Sequence, residues 1–206
     1  MDRAEPARRF ADPRHVANRA RREGAYPETL TAVLAPGDLA DARAAIASWP
    51  GYAPTPLRAL DGLARGFGLG AVLYKDESRR FTLESFKALG GALAVQRLLD
   101  RLWRDAGRPE PVADFARGVT VTCATDGNHG RSVAWGAARF GCRCRIYVHA
   151  TVSEGRKRAI ERFGAEVVRT PGNYDDSVRR ADADARAHGW HVVSDTSYPG
   201  YTEIPK

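Results

Sequence analysis

Residues 119–149 read VTVTCATDGNHGRSVAWGAARFGCRCRIYVH, and the fold turns on them. Residues 119–124 are a run of strand-forming type. Residues 125–130, TDGNHG, form a polar turn with two glycines. Residues 131–140 have helical patterning that Gly141 closes, and residues 142–149 return to a strand pattern. Together they make one strand–helix–strand unit. The alternation continues outward. A helix is expected over 153–163, with Ser153 as its N-cap and Gly164 as its stop. A strand follows over 166–169. The next helix, 174–188, carries Asp175 and Asp176 in its first turn, where the dipole favours acids. A last strand covers 190–194. This order predicts a parallel sheet with helices on its faces and right-handed crossovers. Ligands of open α/β sheets bind at the carboxyl ends of the strands. That rule brings TDGNHG and the segment DTSYPGY (195–201) to one end of the sheet.

Upstream, Leu89, Leu93, Gln96, Leu99 and Trp103 recur at helical spacing in a helix that begins near Ser85. Leu57, Leu60, Leu63 and Phe67 predict another helix over 57–67. Residues 71–75 read as a short strand and 76–80 as a polar turn. Residues 50–56, PGYAPTP, are a loop, because proline disfavours helix in itself and in the residue before it. Residues 1–48 read as an N-terminal extension with one helix over 38–49.

The chain has 206 residues, 43% of them hydrophobic and 28% charged, with a formal net charge of +7. These proportions are ordinary for a soluble globular protein. The charges are interleaved rather than clustered, so a solvated surface is expected, not a nucleic-acid partner. No apolar run of about 18 residues is present to make a transmembrane helix. The first 24 residues contain no apolar core of a secretory signal. Three cysteines do not make a disulfide framework, and their spacing does not make a zinc site, so a reduced, cytoplasmic setting and no metal are expected.

Of the 32 basic residues only four are lysines: Lys75, Lys87, Lys157 and Lys206. In so arginine-biased a chain, lysine marks places where an amine is needed, since it can act as a nucleophile and arginine cannot. Lys87 opens an apolar helix in the run SFKALGG (85–91), where the dipole disfavours a cation. Gly90 and Gly91 weaken that helix unless another group approaches closely. In TDGNHG, Asp126 offers a carboxylate and Asn128 both donors and an acceptor. His129 reads as a structural residue. Asp195, at a strand end, is a further candidate acid or base.

These motifs resemble a known family. LYKDESRRF, SFKALGGALAV, TDGNHGRSVAWGA, NYDDSV and GYTEIP, in that order, are similar to the fold type II pyridoxal-phosphate enzymes. Within that group they look most like the diaminopropionate ammonia-lyases. The family turn commonly carries a small residue, often Ser, where Asp126 stands, and Gln where Arg131 stands. The resemblance implies a three-layer parallel α/β fold of the tryptophan synthase β-like kind and pyridoxal 5'-phosphate as cofactor. It implies that Lys87 bonds the cofactor's aldehyde and later takes a proton, and that Gly127 and Asn128 contact the cofactor. Asp126 would be a second base on the opposite face, serving the other enantiomer, and Asp195 a carboxylate facing a distal amino group. The implied reaction is α,β-elimination of 2,3-diaminopropionate to pyruvate and ammonia. The implied partners are a small amino-acid substrate and, at full length, a second copy in a homodimer.

Such enzymes are much longer than this chain, and their phosphate-binding loop lies further on. The expected division is therefore 1–48 as extension, 49–90 as the first part of a large domain, 91–200 as a small α/β domain, and 201–206 as the start of a return. A chain so cut is expected to bind the cofactor weakly and to be inactive alone. Two other readings compete: a threonine or serine dehydratase-like lyase, and a non-catalytic α/β remnant.

Overall fold

The computed structural model describes residues 18–21, 23–31, 33–108, 111–196, 201 and 204. Its centre is a four-stranded parallel sheet. The strands are β3 (Thr120–Ala124), β4 (Arg143–Val148), β5 (Glu166–Arg169) and β6 (His191–Val192), in the spatial order β5-β4-β3-β6. Two further strands, β1 (Leu57–Ala59) and β2 (Leu73–Lys75), pair antiparallel in a separate ribbon. The crossovers are α5 (Asn128–Phe140), α6 (Glu154–Glu161) and α7 (Tyr174–His188). The chain winds outward from β3 through β4 to β5, then α7 carries it back to β6 on the other side of β3. The order of winding reverses between β3 and β6, and such a switch point opens a crevice at the carboxyl ends of the strands.

The layers follow from the period of two along a strand. Val121, Cys123, Ile146 and Val148 are buried with Val133, Ala134 and Ala137 of α5. The intervening Tyr147 faces the other way, and its hydroxyl donates to Asp184 Oδ2 of α7 at 2.5 Å. The sheet is thus covered on both faces, as its continuous apolar strands require. Each fully buried aliphatic side chain contributes about 1.5–3 kcal/mol.

Outside the sheet, α3 (Lys87–Asp105) packs along α5, and α1 (Pro36–Ala47) packs on α3. Gly91 and Gly136 permit the close approach of α3 and α5. A Cβ on Gly136 would lie 2.8 Å from Ala92 Cα, and one on Gly91 would lie 2.8 Å from Ser132 Cβ. Gly90 faces open space, so only one of the two glycines after Lys87 has the expected packing reason. Trp49 seals the upper end of this pair. Its Nε1 donates to Gln96 Oε1 at 3.0 Å, and its ring meets Phe81, Trp135 and Phe140.

The structure corrects the segment 57–67. A helix was expected throughout, but residues 57–59 are the strand β1, and the helix α2 runs only Asp61–Phe67. The helical spacing of Leu57 and Leu60 is overridden by backbone pairing to β2, extended by Leu60 N donating to Val72 O and Asp76 N to Pro56 O, both at 2.9 Å. Pro54 and Pro56 hold the approach extended. A five-residue helix, α4 (Val112–Ala116), was not anticipated. The described residues contain no helix long and apolar enough to cross a membrane.

Replacing Gly136 with Ala is expected to cost about 1–3 kcal/mol, because the new methyl meets backbone. In a chain of this size that lowers the melting temperature by about 2–4 °C per kcal/mol. Gly90→Ala is expected to raise stability by about 0.5–1 kcal/mol through helix propensity alone. Thermal unfolding followed by circular dichroism measures both. An unchanged Gly136→Ala melt would contradict the close helix contact.

Candidate active site

The crevice at the switch point is a cavity of about 590 Å³. Every site residue expected from the sequence lines it: Lys87, Asp126, Gly127, Asn128 and Asp195. Three separate elements supply them. Lys87 begins α3, the turn after β3 carries residues 125–128, and Asp195 follows β6.

Lys87 is held at its backbone from two sides. Its N donates to Ser85 Oγ at 3.3 Å, and its carbonyl accepts from Ser132 Oγ of α5 at 2.5 Å. The approach to it is strained. Phe81, Thr82 and Glu84 have φ of 47°, 63° and 55°, in the left-handed region. Each such residue costs on the order of 1–3 kcal/mol, offset here by burial of Phe81 and Leu83. The Lys87 ammonium donates to Asp195 Oδ2 across the cavity. Lys75, the other lysine of this stretch, is structural: its Nζ donates to Thr55 O at 2.5 Å.

The turn after β3 is organised by Thr125. Its hydroxyl accepts from Gly127 N and Gly130 N, both at 3.0 Å, and so caps α5. A Cβ on Gly130 would stand 2.3 Å from Thr125 Cγ2, so glycine is required there. His129 is buried, as a structural residue should be. Its Nε2 donates to Val193 O at 2.7 Å, while Nδ1 lies 3.7 Å from Asp195 Oδ2. The imidazole therefore ties the start of α5 to the end of β6. Burial lowers its pKa against the opposing pull of the Val193 bond and the Asp195 charge. For Asp195, burial works upward. The Lys87 hydrogen bond, with the charges of His129 and Lys87, outweighs it and leaves the carboxyl below its ordinary value.

Sequence reasoning missed His149. Its Nε2 lies 2.9 Å from Asp126 Oδ1, and Thr151 Oγ1 lies 3.1 Å from its Nδ1. No local sequence pattern shows this contact; it follows from the strand register, in which Ala124 pairs with Tyr147 and the residues two places beyond each emerge side by side. Tyr174, at the start of α7, also lines the cavity. Its hydroxyl pKa is raised by burial and by the neighbouring Asp195. Tyr201 Oη accepts from Ser194 N at 2.7 Å and donates to Val192 O at 3.0 Å, pinning the strand end that carries Asp195. Gly200, Thr202 and Glu203 of the GYTEIP motif lie outside the described residues.

A lysine and two carboxylates converge at the switch point of a parallel sheet, where open α/β folds bind their ligands. Residues 48–204 match the family of pyridoxal-phosphate dependent enzymes. The chain belongs to that family. It is 45% identical over 159 residues to the diaminopropionate ammonia-lyase of Escherichia coli (strain K12), a match that covers 75% of this chain and 40% of that enzyme. The crystal structure of the selenomethionine-incorporated holo form of the Escherichia coli enzyme superposes with a TM-score of 0.75 at 41% identity, over 82% of this chain and 45% of that one. The same enzyme in complex with an aminoacrylate-PLP azomethine reaction intermediate gives a TM-score of 0.74 at 42% identity, over 82% and 44%. The chain thus spans less than half the length of these relatives. The fold is the fold type II, three-layer α/β architecture that the sequence motifs implied.

His129 makes stability depend on pH. Below its ordinary value of 6.5 the unfolded imidazole binds a proton that the folded one resists. Stability is therefore complete above that value and falls as the pH drops through it. His191 is shifted the same way by burial. Asp195 acts in a lower window: its contribution is present above 3.8 and is lost as the pH falls through its folded value. Between about pH 8 and pH 5 the melting temperature of the wild type should fall more steeply than that of His129→Gln. Parallel curves would show that His129 is not the buried neutral group.

Proposed function

We propose that this chain supplies the lysine side of a pyridoxal-phosphate lyase site that converts 2,3-diaminopropionate and water to pyruvate and two ammonia. The convergence of Lys87, Asp195 and Asp126 on one cavity carries this reading. The donor set fits the cofactor: a primary amine for its aldehyde, the Asn128 amide for its phenolic oxygen, and the Gly127 turn where no side chain intervenes. When bound, pyridoxal 5'-phosphate supplies a conjugated ring that accepts the electron pair left at the substrate's α-carbon.

The chain's own residues do the rest. Lys87 Nζ would hold the cofactor by its aldehyde carbon, the aldehyde oxygen leaving as water, and, once the substrate's own amine had displaced it, would take the α-proton on one face. Asp195, which holds the Lys87 ammonium, is placed to receive a proton from that amine and to pair with a second ammonium group. Asp126 takes the α-proton on the other face, steadied by His149. Two carboxylates suit a substrate that carries two amino groups.

The reading extends to the division at residues 48, 90 and 200, to a homodimer at full length, and to a cytoplasmic setting. Support for the last is the free state of Cys123, Cys142 and Cys144. Burial raises all three thiols, Cys142 to about 11, and keeps them unreactive.

Borohydride reduction of the chain with pyridoxal 5'-phosphate, followed by peptide mass spectrometry, is expected to place the adduct on Lys87 and to lose it in Lys87→Ala. An adduct confined to other lysines would refute the assignment. The chain alone is expected to release little pyruvate; joined to the C-terminal part of the Escherichia coli relative it should release pyruvate from diaminopropionate, and Asp126→Asn in that chimaera should lower kcat/KM for one enantiomer about tenfold or more beyond the other. Equal losses would remove the two-base scheme, and turnover of serine or threonine instead would make the chain a dehydratase.

A further inference from the structure

Of the charged groups assigned to the cavity, Asp126 is the most exposed: 63% of its side chain, against 36% for Lys87 and for Asp195. It stands on a turn whose next residue is glycine. A short carboxylate in that setting samples several rotamers unless a neighbour holds it. A base has to be held, because misplacement by about 1 Å costs on the order of 100-fold in rate. Among the described residues, the one basic side chain within ion-pair distance of Asp126 is His149, whose Nε2 lies 2.9 Å from Oδ1.

His149 is itself well fixed. Its side chain is only 19% exposed, and it follows directly on the end of β4. Arg169 Nη1 donates to the carbonyl oxygens of His149, Ala150 and Val152 at 3.3, 3.0 and 2.6 Å, and Val152 N donates to His149 O at 3.2 Å. Thr151 Oγ1 lies 3.1 Å from Nδ1 and sets the ring. An ionised carboxylate only accepts, so in the neutral imidazole Nε2 carries the proton and Nδ1 accepts from the Thr151 hydroxyl. His149 does not line the cavity, so it reaches a bound molecule only through Asp126.

We propose that His149 is a positioning residue: it engages Oδ1 of Asp126, leaves Oδ2 as the basic oxygen, and so decides whether the second enantiomer of the substrate is used. This rests on the lyase reading for its substrate. The α C–H bond breaks, its electron pair stays with the substrate carbon, and the proton passes to Asp126 Oδ2. Exchange with water at the exposed carboxylate then restores the base. His149 keeps its own proton throughout. The enantiomer served by Lys87 on the opposite face does not use this pair.

Two measurements test it. The first needs no cofactor: the Hα–Hβ couplings of Asp126 in the isotope-labelled 206-residue chain, read by NMR. They should report one χ1 rotamer in the wild type and an average over rotamers in His149→Leu. His149→Gln, whose amide donor reaches about where Nε2 stands, should keep the single rotamer. An average in the wild type, or a single rotamer in His149→Leu, would overturn the proposal. The second uses the chimaera with the C-terminal part of the Escherichia coli relative. His149→Leu should lower kcat/KM for the enantiomer that depends on Asp126 by about tenfold or more beyond the other, mostly through kcat. His149→Gln should restore most of that loss, and His149→Leu added to Asp126→Asn should cost that enantiomer nothing further. Equal losses for both enantiomers would make His149 structural only and overturn the proposal. A chimaera that turns over neither enantiomer, with the Asp126 couplings as expected, would remove the lyase reading and leave the positioning of Asp126 by His149 standing. Far-UV circular dichroism confirms that each variant is folded.

Discussion

The close contact of α3 with α5 governs the rest of the molecule. Gly91 and Gly136 leave no side chain between the helices at two places, and Ser132 fills the resulting gap, donating to the carbonyl of Lys87. A helix that begins outside the sheet is thereby locked to the helix that leaves β3. The Lys87 amine consequently enters the crevice from one wall and Asp195 from another, close enough to bond. A larger residue at Gly136 would push Ala92 away and carry the start of α3 with it, because close-packed interiors transmit strain rather than absorb it.

Charge arrangement then shapes the chemistry. Each carboxylate has a basic neighbour: Lys87 for Asp195 and His149 for Asp126. His129 donates from Nε2 to Val193 O, two residues before Asp195, so the segment that carries Asp195 rests on a buried structural histidine. In such a site, ligand carbonyls and amines meet groups already oriented, which lowers the cost of ordering them on binding. The three cysteines take no part; burial makes them inert.

Much of the site was legible before the fold. Lys87 stood out because lysine is rare in an arginine-rich chain and heads an apolar helix. Asp126, Gly127 and Asn128 stood out because a turn between strand and helix gathers ligands at the carboxyl ends of a sheet. His149 did not. It lies far from them in sequence and enters through a neighbouring strand, and single-chain patterning carries no signal for such a contact. The segment 57–59 misled for a related reason: three residues spaced like a helix can equally pair as a ribbon, and local pattern does not include the partner.

The sequence alone determined the alternation of strands and helices from residue 119 to 194, the parallel sense of the sheet, and the motifs that carry the family resemblance. These follow from local periodicity, caps and glycine stops, each set by residues a few positions apart. Only the tertiary structure decided which way the winding reverses and that Lys87 meets Asp195. It alone decided that His149 meets Asp126. Those outcomes depend on how closely helices and strands distant in the chain can approach. Side-chain volume at Gly91, Gly130 and Gly136 sets that distance, and no local pattern expresses it.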